Sequence, residues 1–138
     1  MGAVEVLWFD DTVIAAYKPG GMPSQPDPTG DPDVLTLLRS QRNEPLLGLI
    51  HRLDRPVSGV MLFGRTAAAT ATLSAQFRER TIQKVYWAIV EGRFPGDRNL
   101  RHVLVHDAKA HKARAKEVAV SDEEGASLKV RVLAQGDR

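Results

Sequence analysis

The chain has 138 residues, 43% of them hydrophobic, which suits one domain able to bury a real core. It contains no cysteine, so disulfides, thiolate catalysis and cysteine-ligated zinc or iron–sulfur centres are excluded. Net charge is only +2, and no apolar run approaches the roughly 18 residues of a membrane-spanning helix.

The opening MGAVEVLWFDD is acidic early and lacks a basic stretch before an apolar one. It does not read as a secretion signal, and the expected location is the cytoplasm. Val4 to Trp8 and Val13 to Tyr17 read as two strands around the Asp10-Asp11 turn. Lys18-Pro19-Gly20-Gly21 ends that hairpin, because proline leaves the ladder and glycines permit an unusual backbone path. The following stretch to Asp33 holds four prolines (23, 26, 28 and 32) and is a loop. Asp33 is placed to cap a helix from Val34 to about Arg42.

Leu46 to Ile50 is short and apolar and leads into His51-Arg52-Leu53-Asp54-Arg55-Pro56. Pro56 disfavours helix at the residue before it, so Asp54 and Arg55 are expected in an extended segment or turn. Val60 to Phe63 reads as a buried strand. Thr66 to Arg80 is alanine-rich, with Leu73 and Phe77 four apart, which predicts a helix. Thr81 to Val90 has the β-branched and aromatic content of a strand. Val103 to Val105 reads as a short strand and residues 108–117 as a helix or charged loop. Glu117 to Val120 and Ala126 to Leu133 read as a hairpin around residues 121–125. The sum is an α+β chain with a mixed, largely antiparallel sheet and flanking helices, and no internal repeat.

Chemistry-bearing residue types are densest at residues 51–55. One carboxylate, Asp54, lies between two guanidinium groups, Arg52 and Arg55. Flanking cations favour the ionised carboxylate, which suits a nucleophile, a base or the partner of a developing cation rather than a general acid. Arg52 and Arg55 are also suited to bidentate contacts with phosphates. Spacing alone leaves equal room for a surface ion-pair cluster. Farther on, six Lys or Arg residues (98, 101, 109, 112, 114 and 116) lie between Arg98 and Lys116. They read either as a phosphate-attracting patch or as a solvated charged face.

Residues 51–66, HRLDRPVSGVMLFGRT, resemble the signature of the RluA-type pseudouridine synthases. In the same order, VLWFDDTVIAAYKPGGMPSQP resembles that family's strand pair and Lys-Pro-x-Gly loop. Phe77 to Ile89, FRERTIQKVYWAI, resembles its helix-then-strand segment. The resemblance is specific from about Val6 to Ile89 and looser beyond. It implies an enzyme that isomerises uridine to pseudouridine in ribosomal or transfer RNA. The glycosidic bond is cleaved, and the base is turned and rejoined through carbon 5.

By the same resemblance Asp54 is the catalytic aspartate, and Tyr86 packs against the target base. Arg52 enters the RNA helix near the space left by the flipped nucleotide. Arg55 and Lys18 are expected at the RNA. No cofactor and no metal are implied, because the reaction is an isomerisation, and no Rossmann or P-loop glycine pattern is present. The implied partner is RNA, without membrane association, and the expected state is a monomer.

Two departures stand out. Pro56 and Val57 replace the family's commoner pair after the second arginine. Nothing matches the Thr-Gly-Arg-x-His-Gln-Ile-Arg-like motif whose basic residue pairs with the catalytic aspartate. The expectation is therefore a single, incomplete catalytic domain over residues 1–138 with no separate N-terminal RNA-binding domain. A catalytically impaired RNA-binding protein is the alternative. His51 reads as structural, and His102, His106 and His111 as a solvated or RNA-facing stretch rather than a metal site. Trp8, Trp87 and Phe77 read as packing residues.

Overall fold

The computed structural model describes residues 2–108, 112–116 and 125–136, and these divide into two compact units, Met1–Tyr86 and Trp87–Arg138. The first unit is built on a four-stranded sheet. Its strands are β1 (Val6–Phe9), β2 (Val13–Lys18), β3 (Gly48–Leu49) and β4 (Gly59–Gly64), in the spatial order β1-β2-β4-β3. Every pairing in it is antiparallel. β2 and β4 form the longest ladder, with Ile14 opposite Phe63 and Ala16 opposite Met61.

Alternation along these strands puts Ile14, Ala16, Met61 and Phe63 on one face. That face packs on helix α1 (Val34–Arg42), which contributes Val34, Leu35 and Leu38, and on Leu47 and Leu53. Each of the larger side chains among them, fully buried, stabilises the fold by about 1.5–3 kcal/mol. α1 begins as the sequence predicts, because the Asp33 carboxylate accepts a hydrogen bond from the Thr36 amide at 2.9 Å. It ends at Asn43, whose left-handed backbone (φ 53°) closes the last turn.

Helix α2 (Ala67–Arg78) is capped by Thr66, which accepts from the Ala69 amide at 3.1 Å. It crosses the opposite face of the sheet, where Gly48 and Gly64 admit Thr70. Phe77, on the same helix, is half-buried rather than deep in the core and stacks on His51 with ring centroids 4.2 Å apart.

The second unit is a three-stranded antiparallel sheet of β5 (Arg98–Asp107), β6 (Lys112–Lys116) and β7 (Ala126–Val130), with β5 in the middle. β5 is far longer than the Val103–Val105 strand expected, and β6 stands where a helix or charged loop was predicted. The alternation Lys112-Ala113-Arg114-Ala115-Lys116 is a period-two pattern, which a strand satisfies and a helix does not. The predicted strand Glu117 to Val120, its turn and His111 lie outside the described residues.

The strand predicted over Thr81 to Val90 does not form. Residues 82–90 enter no ladder, and Val85, Tyr86, Trp87, Ile89 and Val90 are all exposed. Residue type favours a strand, but only a hydrogen-bonded neighbour makes one. Trp8, on edge strand β1, is likewise more than half exposed. Among the described residues no helix is long and apolar enough to cross a membrane.

Candidate active site

The first unit brings Lys18, Arg52, Asp54 and Arg55 to one loop junction, between the end of β2 and the start of β4. Asp54 opens a turn in which its carbonyl accepts from the Val57 amide at 3.0 Å. Its side chain faces solvent. The main chain on both sides of it is pinned.

Upstream, one hydroxyl holds both backbone groups of Leu53. Ser24 Oγ donates to the Leu53 carbonyl at 2.6 Å and accepts from the Leu53 amide at 3.1 Å. Ser24 is 5% exposed. Downstream, Lys18 Nζ donates to the carbonyls of Arg55 (3.0 Å) and Val57 (2.6 Å), and also to that of Pro19. The Gly21 amide donates to the same Arg55 carbonyl at 2.7 Å. Gly21 has φ 86°, and a Cβ on Gly20 would stand 3.1 Å from the Pro56 carbonyl oxygen. The Lys-Pro-Gly-Gly turn therefore lies directly against the aspartate loop, and its glycines permit both the backbone path and the approach.

Two of the residues expected at the RNA have partners within the chain. Lys18 is 0% exposed, and its three donors are taken by three carbonyls, so it anchors the loop. Burial pushes its ammonium below its ordinary pKa, the nearby Asp54 carboxylate works against this, and Arg55 adds to it. Arg55 reaches away from the aspartate. Its guanidinium donates to Asp31 (2.7 Å), Asp27 (2.9 Å) and Thr29 (2.7 Å), tying the proline-rich loop to the Asp54 turn. Hydrogen bonds from Thr29 and then Arg55 hold the Asp27 carboxyl below its usual range, and Arg55 does the same for Asp31. Two carboxylates already pair with this arginine.

Arg52 is exposed, and among the described residues no hydrogen bond or ion pair engages it. It is the solvent-facing cation next in sequence but one to Asp54. Tyr86 is 59% exposed on the unpaired segment, and no ring contact or hydrogen bond ties it to the aspartate loop. His51 takes a structural place. Its Nε2 accepts from the Leu62 amide at 3.0 Å while its ring stacks on Phe77. Burial, then Lys84, lowers its pKa, which keeps the ring neutral and able to accept. Among the described residues no cluster of three or more His, Asp or Glu is arranged to hold a metal.

Sequence reasoning missed Ser24. Its signal was a small hydroxyl residue among four loop prolines, with nothing in the sequence to say that it meets Leu53, 29 residues away.

Comparison with known proteins finds one family. Residues 12–138 match the family described as RNA pseudouridylate synthase. The chain is 31% identical over 134 residues to tRNA pseudouridine synthase C of Haemophilus influenzae, covering 91% of this chain and 56% of that protein. It is 36% identical over 93 residues to the dual-specificity RNA pseudouridine synthase RluA of Vibrio vulnificus, covering 67% and 37%. With ribosomal large subunit pseudouridine synthase D of Neisseria meningitidis it shares 32% identity over 110 residues, covering 76% and 29%. The chain thus spans about half the length, or less, of these curated relatives. Among solved structures, human RNA pseudouridylate synthase domain containing 4 superposes with a TM-score of 0.67 at 23% identity. That superposition covers 95% of this chain and 48% of the other, and it supports the same α+β fold.

Proposed function

This chain belongs to the RNA pseudouridylate synthase family, and on that premise we propose that it acts on a uridine of ribosomal or transfer RNA, with Asp54 as the catalytic carboxylate. The observation that carries the reading is the placement of Asp54. Asp54 is exposed at the start of a turn whose main chain is fixed on both sides by Ser24, Lys18 and Gly21. A reacting group held this way keeps its geometry without being shielded from a macromolecular substrate. The named relatives act on transfer and ribosomal RNA, which supports that substrate class.

In the proposed reaction the bond from the ribose C1′ to N1 of uracil breaks. The base turns, C1′ bonds to C5, and the C5 hydrogen is replaced while N1 gains one. No atom is lost and no redox change occurs. A stacked uridine is out of reach, so the nucleotide leaves the helix at a cost of a few kcal/mol, less in a loop. Arg52 is the exposed cation suited to the vacated space or to a phosphate beside it. Tyr86 offers the ring for stacking on the base, a contact worth about 1–3 kcal/mol.

The test is incubation of the purified chain with RNA from cells lacking its gene, followed by pseudouridine mapping at nucleotide resolution. Asp54→Asn should give no product with the fold intact by circular dichroism. Tyr86→Phe should slow single-turnover conversion more than it weakens RNA binding. Product from Asp54→Asn at the parent rate would remove the carboxylate from the mechanism. A folded parent chain that binds RNA and makes no pseudouridine would support the binding-only alternative.

A further inference from the structure

We infer that the second unit carries a strip for the phosphate backbone of an RNA strand on one face of its sheet. The observation is the register. Residues directly opposite one another in an antiparallel pair point to the same face, as do residues two apart along a strand. On β5 one face therefore presents Asn99, Arg101, Val103 and Val105. Their partners are Lys129, Ser127, Lys116 and Arg114 respectively. Each of these four successive rungs holds one cation: Lys129, Arg101, Lys116 and Arg114. The cations run diagonally across the sheet from β7 over β5 to β6, one per rung, along about 20 Å of strand.

None of these four rungs holds a carboxylate. All four cations are exposed. The intervening rungs, which face the other way, pair Leu100 with Leu128, His102 with Ala126 and Leu104 with Ala115, and only Arg98, opposite Val130, brings a cation to that face among these rungs, so the cations are concentrated on one face. A file of evenly spaced cations complements a polymer with one negative charge per repeat, where a compact anion would engage only one or two. Charge complementarity commits the strip to a polyanionic strand. This inference rests on the reading of the chain as an RNA-acting protein and adds where the backbone is held. It requires no contact with a base.

The test is binding of the full chain to a labelled oligoadenylate, followed by fluorescence anisotropy across a salt series. The probe has no uridine, so its binding is independent of whether Asp54 performs the isomerisation. The triple variant Arg114→Gln, Lys116→Gln, Lys129→Gln should bind at least tenfold more weakly at ~0.1 M salt. The slope of log affinity against log salt should fall by about 2, since each cation lost from a single-stranded site removes about 0.7. The charge-preserving variant Arg114→Lys, Lys116→Arg, Lys129→Arg should bind as the parent does. Unchanged affinity and slope in the glutamine variant would overturn the inference, as would equal weakening in the charge-preserving one. Retained oligoadenylate binding with lost affinity for an acidic polypeptide would also overturn it, assigning the strip to a protein.

Discussion

The hydroxyl of Ser24 is the smallest group in the site and meets both backbone groups of the residue before Asp54. Ser24→Ala removes the donor for one and the acceptor for the other in a buried place. The expected loss is about 1–3 kcal/mol, because buried polar groups are left without partners. The loop would lose its upstream anchor, so single-turnover conversion should fall roughly ten- to hundredfold with RNA binding little changed. Urea denaturation and a single-turnover assay check both halves, and an unaltered denaturation midpoint would show that the hydrogen bonds contribute nothing. At this scale the irregular setting of Asp54 and Arg52 was legible, since Pro56 disfavours helix before it. Lys18, Arg55 and Ser24 were not. Their roles depend on partners 24 to 39 residues distant, and local sequence carries no trace of which carbonyl or carboxylate a side chain will meet.

At the scale of elements, the joint between α2 and the sheet depends on two facing glycines, Gly48 and Gly64, paired across β3 and β4. A Cβ at Gly64 would lie 2.8 Å from both the backbone nitrogen and the Cα of Thr70. Gly64→Ala should therefore destabilise the first unit by about 1–3 kcal/mol through forced displacement of the helix. Thr70→Ala should not rescue it, because the obstruction is backbone; a double variant restored to parent stability in thermal melts would contradict this. Elements whose signals are local were readable. Asp33 caps α1 as its position before the apolar run suggests, and short runs of apolar residues mark β2 and β4. The misreadings share one cause. Residues 82–90 have strand composition but no ladder neighbour, whereas β6 has helix-compatible residues and a neighbour in β5. Strand formation is decided by pairing, and pairing is a property of two segments.

At the scale of the molecule, the two units differ in how much they bury. The first encloses a continuous cluster that includes Ile14, Leu38, Met61 and Phe63, while the second has no buried residue among those described. Local opening free energies follow apolar burial. Amides of β2 and β4 should accordingly exchange with deuterium far more slowly than those of β5 and β7, by about two orders of magnitude or more if the difference reaches ~3 kcal/mol. Mass-spectrometric exchange on the whole chain checks this, and equal protection in both sheets would contradict it.

The grip on the Asp54 turn is applied to carbonyl oxygens. Lys18 and Gly21 hold those of residues 55 and 57, and Ser24 holds residue 53. Every amino acid, proline included, supplies a carbonyl. The turn can therefore change the identity of its side chains, those of Pro56 and Val57 included, without losing the contacts that hold its shape. A site anchored by its main chain leaves its neighbouring side chains open to variation, so diversity around the aspartate need not signal decay of the centre.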